Sequence, residues 1–243
     1  MKRMGYARAC RLTVEPLEDR CVPAGNVLLQ MSSGMMILTG DNAHNNIAVR
    51  TTLDGFFVEG RDGTTVNGQA SELVSEPLAG VCASTGNGND VFAFEGVDGY
   101  WGLSMISIDT GKGDDKVVVD MARQASFPSL HVVTGNGDDV VSVNFRPGFT
   151  FHLPGLFIDT GDGNDSVDIE GTLQGVRVGT FQIWLGRGDD SLNVDLFTTI
   201  PTRLQAQFVE IDGGAGNDRI SGNTSFLEFA GGIPMYDDFE FVD

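Results

Sequence analysis

Basic residues and long apolar runs are what this chain has least of. Its 243 residues include 15 Lys and Arg against 34 Asp and Glu, which gives a net charge of −19. Nucleic-acid phosphate and anionic lipid are recognised by basic surfaces, so the composition argues against both as partners. No apolar run reaches the length of a membrane-spanning helix, so we expect no membrane span. The acidic balance instead fits a protein that binds cations.

Cysteine and histidine are also rare. Three cysteines, Cys10, Cys21 and Cys82, are too few for a disulfide framework. A disulfide between Cys10 and Cys21 is one alternative, and the cysteine count does not determine the redox compartment. The three histidines make no metal or triad spacing. The chain has no phosphate-cradling loop with a lysine and no Gly-x-Ser-x-Gly nucleophile elbow. We therefore expect a protein that is not an enzyme.

Glycine, in contrast, is abundant at 33 residues, and it marks an internal repeat. A ten-residue segment typified by residues 160–169 occurs six times, and its leading glycines are 25, 24, 26, 25 and 28 residues apart. These glycines are Gly86, Gly111, Gly135, Gly161, Gly186 and Gly214. Such a period indicates a repeat architecture in which each unit buries its apolar face on its neighbours.

Every copy of the repeat has the same columns. A second glycine stands two residues after the leading glycine. An aspartate stands four residues after the leading glycine, and the residue just before it is Asn or Asp. Glycine supplies the positive-φ conformations of a tight turn. Apolar residues alternate on both sides of the turn, which predicts strand, turn, strand. The turn aspartates are Asp90, Asp115, Asp139, Asp165, Asp190 and Asp218.

A unit of about 25 residues holds two strands and a variable remainder, which is enough for one circuit of a coil. Successive coils would stack at the strand spacing of roughly 4.8 Å, with like residues above like. The sequence therefore predicts an all-β fold, a parallel β-solenoid with one Gly-x-Gly-(Asn/Asp)-Asp turn per coil. A β-sandwich of hairpins is the alternative.

The repeated turn resembles the nonapeptide Gly-Gly-x-Gly-x-Asp-x-apolar-x of the RTX, or hemolysin-type, calcium-binding repeat. Residues 213–221 match it at every defined position. In the other copies the first glycine is replaced, by Thr85, Thr110, Thr134, Thr160 and Leu185. The family's nonapeptides follow one another directly, two to a coil, with calcium on both edges. With one turn per coil, the resemblance implies calcium along at most one edge of this solenoid.

Stacked aspartates need something that offsets their charge. At roughly 4.8 Å, two carboxylates repel by roughly 0.9 kcal/mol at the dielectric of water and by about 3.5 kcal/mol at an effective value of 20. Calcium, ligated by carboxylates and turn carbonyls, is the predicted cofactor. The alternative is that each aspartate accepts hydrogen bonds from turn N–H groups and faces salt water. Besides the six turn aspartates, the predicted ligands include Asp114, Asp138 and Asp189.

Four segments divide the chain. Residues 26–72 form a degenerate beginning of the repeat, and we assign residues 26–80 an N-terminal capping role. Within the degenerate beginning, residues 46–49 loosely imitate residues 90–93. The repeat solenoid covers residues 81–222. Residues 223–243, in which acidic and aromatic residues alternate, predict a C-terminal closing strand; an uncleaved export signal of the kind found in RTX proteins is the alternative.

Residues 1–25 carry a third of the chain's basic residues and are excluded from the predicted fold. Glu15, Leu17, Glu18 and Arg20 resemble the core of a short leader found on certain large bacterial envelope proteins. This resemblance implies export or surface sorting. A disordered basic tail is the alternative.

The predicted function is a calcium-binding repeat protein, extracellular or at the cell surface, with a structural or adhesive role. Calcium ions are the expected partners, and cell-surface polysaccharide or envelope components are further candidates. The alternative is a β-helix carbohydrate-active enzyme of the polysaccharide lyase or epimerase type, since such enzymes share this class of fold. A catalytic carboxylate pair should break the repeat, whereas these aspartates recur identically.

Overall fold

The computed structural model describes residues 24–96, 102–121, 128–146, 150–198, 205–223, 235–237 and 239–241. Within these ranges the chain forms nineteen β-strands and no helix. The predicted leader, apart from its last two residues, and much of the predicted closing segment lie outside the described residues.

The strands fall into three groups along the chain. The N-terminal group comprises β1 (Asn26–Ser32), β2 (Met35–Thr39), β3 (Asn46–Thr52), β4 (Gly55–Gly60), β5 (Thr65–Val66) and β6 (Ser71–Val74). The strands of the repeat are β7 (Gly80–Ser84), β8 (Val91–Glu95), β9 (Met105–Asp109), β10 (Lys116–Met121), β11 (Ser129–Asn136), β12 (Val140–Phe145), β13 (Thr150–Asp162), β14 (Ser166–Trp184), β15 (Ser191–Thr198), β16 (Gln205–Asp212) and β17 (Asp218–Asn223). The last group comprises β18 (Met235–Asp237) and β19 (Phe239–Phe241).

Two parallel sheets run along the stack of coils. The first sheet holds the strands that precede the glycine turns, in the order β2, β7, β9, β11, β13, β14, β16 and β18. The second sheet holds the strands that follow the turns, in the order β3, β8, β10, β12, β14, β15, β17 and β19. The long strand β14 belongs to both sheets, because its start pairs in the second and its end in the first.

The strand register has the period of the sequence repeat. Lys116 pairs with Val91 in the preceding coil and with Val140 in the following one, the same steps as those between the leading glycines. This parallel stack, with roughly 26 residues per coil, confirms the predicted all-β solenoid. The β-sandwich of hairpins is therefore wrong for the repeat.

The core lies between the two sheets and is made by the alternating apolar columns. Burial of each large aliphatic or aromatic side chain stabilises the fold by about 1.5–3 kcal/mol. The first sheet buries Val81, Ile106, Leu130, Leu156, Phe181 and Val209. The second sheet buries Phe92, Val117, Val141, Val167, Leu192 and Ile220.

The N-terminal end of the stack differs from the repeat. Strand β1 pairs antiparallel with β2, and β4 pairs antiparallel with both β3 and β6, so antiparallel strands extend each sheet at this end. Strands β2 and β3 form the first coil, in parallel with β7 and β8. The predicted match of residues 46–49 to 90–93 is wrong by one position: Asn46 pairs with Val91, which places Asn45 level with Asp90.

Candidate metal site at the turn edge

The repeated turns lie above one another along one edge of the solenoid, between the first and the second sheet. The glycines in them have positive φ, as at Gly113, where φ is 126°. A Cβ atom at Gly113 would also collide with the carbonyl oxygen of Gly88 in the coil before. The turn therefore needs glycine both for its backbone conformation and for the close approach of the stacked turns.

The six turn aspartates form a buried column, which we call the inner ladder. Their side chains are at most 2% exposed. In each, Oδ1 accepts a hydrogen bond from the backbone N–H of the equivalent residue one coil earlier. Thus Asp115 Oδ1 accepts from Asp90 N at 2.6 Å, and Asp139 Oδ1 accepts from Asp115 N at 2.7 Å. The same bond recurs for Asp165, Asp190 and Asp218.

In five of the six inner-ladder aspartates, the second carboxyl oxygen has no hydrogen-bond partner. The Oδ2 atoms of Asp90, Asp115, Asp139, Asp165 and Asp190 are buried and have no hydrogen-bond partner. In four coils the hydroxyl of the turn threonine lies close enough to the carboxyl group to favour its ionised form, but the same hydroxyl also lies against a carbonyl oxygen of the next coil and has one proton for both. A buried ionised oxygen without a partner is costly, so each of these carboxyl groups needs a proton or a cation.

Burial raises the pKa of five aspartates of the inner ladder. Desolvation raises the pKa of Asp115 and Asp190 to about 7 and that of Asp139 to about 6. It also raises the pKa of Asp90 and Asp165. The backbone hydrogen bond to Oδ1 favours the ionised form, as does the threonine hydroxyl in four of the coils, but together they do not offset the desolvation.

The residues just before the inner aspartates form a second, exposed row, which we call the outer ladder. Its members are Asn89, Asp114, Asp138, Asn164, Asp189 and Asn217. Here the hydrogen bonds run the other way along the stack, because each backbone N–H donates to the side chain one coil earlier. Asp138 N donates to Asp114 Oδ1 at 3.1 Å, and Asn164 N donates to Asp138 Oδ1 at 2.8 Å.

Asparagines in the outer ladder also donate to neighbouring aspartates. Asn164 Nδ2 donates to Asp138 Oδ1 at 3.2 Å, and Asn217 Nδ2 donates to Asp189 Oδ1 at 3.0 Å. Asn89 Nδ2 donates to Asp114 Oδ2 at 3.4 Å. Amide donors and water thus surround the exposed carboxylates.

The nine predicted ligands therefore lie on one edge but in two different environments. Of these nine described aspartates, those with a buried oxygen and no hydrogen-bond partner for it all belong to the inner ladder. Its aspartates do accept N–H hydrogen bonds, as the alternative to calcium predicts, but from the neighbouring coil, and they are buried rather than facing water. Among the described residues, no three His, Cys, Asp or Glu side chains are placed to hold a metal ion together. Any ion at this edge must take further oxygens from the main chain.

The sequence analysis missed one member of the inner ladder, Asn45. Its backbone N–H donates to Asp90 Oδ1 at 2.7 Å, which is the ladder bond. Its side-chain Nδ2 donates to the carbonyl oxygens of Ala43 at 2.8 Å, Thr85 at 3.2 Å and Asp41 at 3.3 Å. The available signal was its place directly before the strand Asn46–Thr52, but the first turn lacks the Gly-x-Gly spacing that aligns the other copies.

Aromatic side chains outside the turn edge were also missed. His131 and Phe157 stack on the outer face of the first sheet, with their ring centroids 4.4 Å apart. Trp184 meets Phe157 edge-on at 5.0 Å. These residues occupy outward positions of neighbouring coils, so only the inter-coil register brings them together.

Comparison with protein-family models, curated proteins and solved structures gave no match. The described segments include no helix of sufficient length and apolarity to cross a membrane. The geometry of the turn edge is thus what a functional proposal for this chain has to rest on.

Proposed function

We propose that this protein is a calcium-binding repeat protein, secreted or at the cell surface, whose ions stabilise the stacked acidic turns in a structural or adhesive role. The observation that carries the proposal is the column of buried Oδ2 oxygens without hydrogen-bond partners. A folded chain at neutral pH has to satisfy these oxygens, and a cation does so without protonating them.

The contacts of Asn45 in the first coil support a cation, rather than another partner, in the later coils. There, the Nδ2 atom of Asn45 donates to three main-chain carbonyl oxygens. The backbone register places Asn45 level with the turn aspartates of later coils, and because Oδ1 of those aspartates accepts the ladder bond, their Oδ2 corresponds to Nδ2 of Asn45. A carboxylate oxygen cannot donate, so the later turns lack the amide protons of the first coil. The threonine hydroxyl supplies one proton in four of them, and Asp190, whose turn has Leu185 at that position, has no such hydroxyl. Calcium prefers six to eight oxygen ligands, such as carboxylate and carbonyl oxygens.

The residues that would hold calcium are the inner-ladder aspartates, through Oδ2, with carbonyl oxygens of the same and the following turn. When bound, calcium would supply the positive charge that offsets the stacked carboxylates. Because only the folded stack brings these oxygens together, binding would stabilise the fold by linkage. An extracellular or surface location follows from this proposal, since the chain would need abundant calcium. Polysaccharide or envelope components are its candidate partners there.

Thermal unfolding of the full chain, in chelator and in millimolar calcium, tests this proposal. We expect calcium to raise the midpoint by about 5–10 °C, because one site at 100-fold excess over Kd adds about 2.7 kcal/mol, and each kcal/mol shifts a domain of this size by about 2–4 °C. Magnesium should have a smaller effect, since it demands a tighter octahedral shell.

Two matched variants show which ladder responds. Asp139→Asn places an amide in the inner ladder, as at Asn45, and should raise the midpoint in chelator while reducing the calcium effect. Asp138→Asn removes the same charge from the exposed outer ladder and should keep the wild-type calcium effect. An identical wild-type midpoint in chelator and in calcium would contradict the proposal.

A further inference from the structure

The inner ladder ends at Asn45, and the chain before it seals this end of the column. Asn45 is 1% exposed, and its Oδ1 has no hydrogen-bond partner, since no N–H of the described residues before it takes the place of the ladder donor. Gly25 covers this oxygen so closely that a Cβ atom there would collide with it. The Gly25 backbone is held on both sides, donating to His44 O and accepting from Thr65 N, each at 3.0 Å.

The side-chain nitrogen of Asn45, Nδ2, donates hydrogen bonds that a carboxylate oxygen of the later aspartates cannot donate. Its Nδ2 lies among four oxygens: the carbonyls of Asp41, Ala43 and Thr85, and Asp90 Oδ1 at 3.5 Å. The amide protons carry positive partial charge toward these oxygens and are present at every pH. They also exclude a cation from this place, because ion and amide protons would repel one another.

We propose that Asn45 closes the calcium column at its N-terminal end, its side-chain amide taking the place that an ion takes in the later coils. The inference rests on the proposed calcium function and adds that the first coil binds no ion and is ordered without calcium. A calcium-independent first coil gives the rest of the stack a folded neighbour to build on, since each coil of a solenoid contacts only the coils next to it.

Counting bound calcium on the full chain tests this inference, by equilibrium dialysis with elemental analysis of the protein. Asn45→Asp should bind one more calcium ion per chain than the wild type and should unfold at a lower temperature in chelator. Asn42→Asp is the matched control, because it adds the same charge to the same turn at an exposed position. An aspartate there can still accept the hydrogen bond from Asn87 Nδ2. Its ion count and its midpoint should equal those of the wild type.

Hydrogen exchange on the wild type provides a second measurement that needs no variant to fold. Calcium should slow amide exchange in the turns at residues 110–115 and 134–139, and it should leave the turn at residues 41–46 unchanged. If the wild type binds no calcium, the proposed function fails together with this inference. If the wild type binds calcium but Asn45→Asp gains no ion, or if exchange at residues 41–46 slows as much as in the later turns, only the closing role of Asn45 is overturned.

Discussion

At the scale of single residues, the threonine directly before the leading glycine of four turns has a structural role of its own. Thr85, Thr110, Thr134 and Thr160 are buried, and each hydroxyl donates to the carbonyl oxygen at the same position one coil later, at 2.8–3.3 Å. A glycine has no hydroxyl to give. These threonines thus add a column of hydrogen bonds beside the inner ladder.

Thr134→Val tests this column at one position. Valine has nearly the same shape, so the change removes the hydrogen bond to Thr160 O, 3.1 Å long, and leaves the packing in place. We expect a loss of about 0.5–2 kcal/mol in the free energy of unfolding, measured by denaturant titration. Thr39→Val, at an exposed strand position, should stay within about 0.5 kcal/mol of the wild type. Equal effects of the two changes would mean that the buried hydroxyl contributes nothing specific.

At the scale of structural elements, the two ladders of the turn edge explain how adjacent acidic residues differ. Asp138 and Asp139 are neighbours in sequence, yet one lies in the exposed outer ladder and the other in the buried inner ladder. Their hydrogen bonds run in opposite directions along the stack, so each turn is tied to the coil before it and to the coil after it. The unsatisfied charge is confined to the inner ladder.

The inner ladder makes calcium-free stability depend on pH in a defined direction. The pKa values of Asp115 and Asp190 are raised to about 7 in the fold, so between about pH 4 and pH 7 the folded chain binds more protons than the unfolded chain. Stability in chelator should therefore increase as the pH is lowered from 8 to 5. Thermal midpoints at fixed ionic strength measure this.

The double variant Asp115→Asn/Asp190→Asn should show a flatter pH dependence, because an amide does not titrate. Asp114→Asn/Asp189→Asn removes the same number of charges from the outer ladder and should keep the wild-type slope. A wild-type midpoint that is constant or that falls between pH 8 and pH 5 would mean that the inner carboxyl groups are satisfied in another way.

At the scale of the whole molecule, the fold is a one-dimensional stack whose stability is shared between neighbouring coils. Every strand of the first sheet between β7 and β16 pairs with the strand one coil before and one coil after. The apolar columns form one continuous cluster that includes Val27 at one end and Ile220 at the other. Local damage should therefore spread along the stack rather than stop at one strand.

Leu156→Ala tests this coupling in the middle of the stack. Leu156 is fully buried, so its truncation should cost about 2–5 kcal/mol. Hydrogen exchange should increase most in the coils of Leu130 and Phe181, which flank it, and least in the N-terminal strands. Leu53→Ala, at a turn position that is 98% exposed, is the control and should change neither stability nor exchange. A uniform increase along the whole chain would contradict nearest-neighbour coupling.

The sequence by itself determined the repeat, the strand–turn–strand unit and the apolar columns, because glycine spacing and alternation are local and recur in every coil. Tertiary structure decided the rest. Contacts between residues 24–45 positions apart decide which acidic residue of each turn is buried and which oxygens accept from the N–H groups of Asp90 and Asp115. They also make Asn45 part of the ladder. Those contacts exist only once the coils are stacked in register, so no local pattern reveals them.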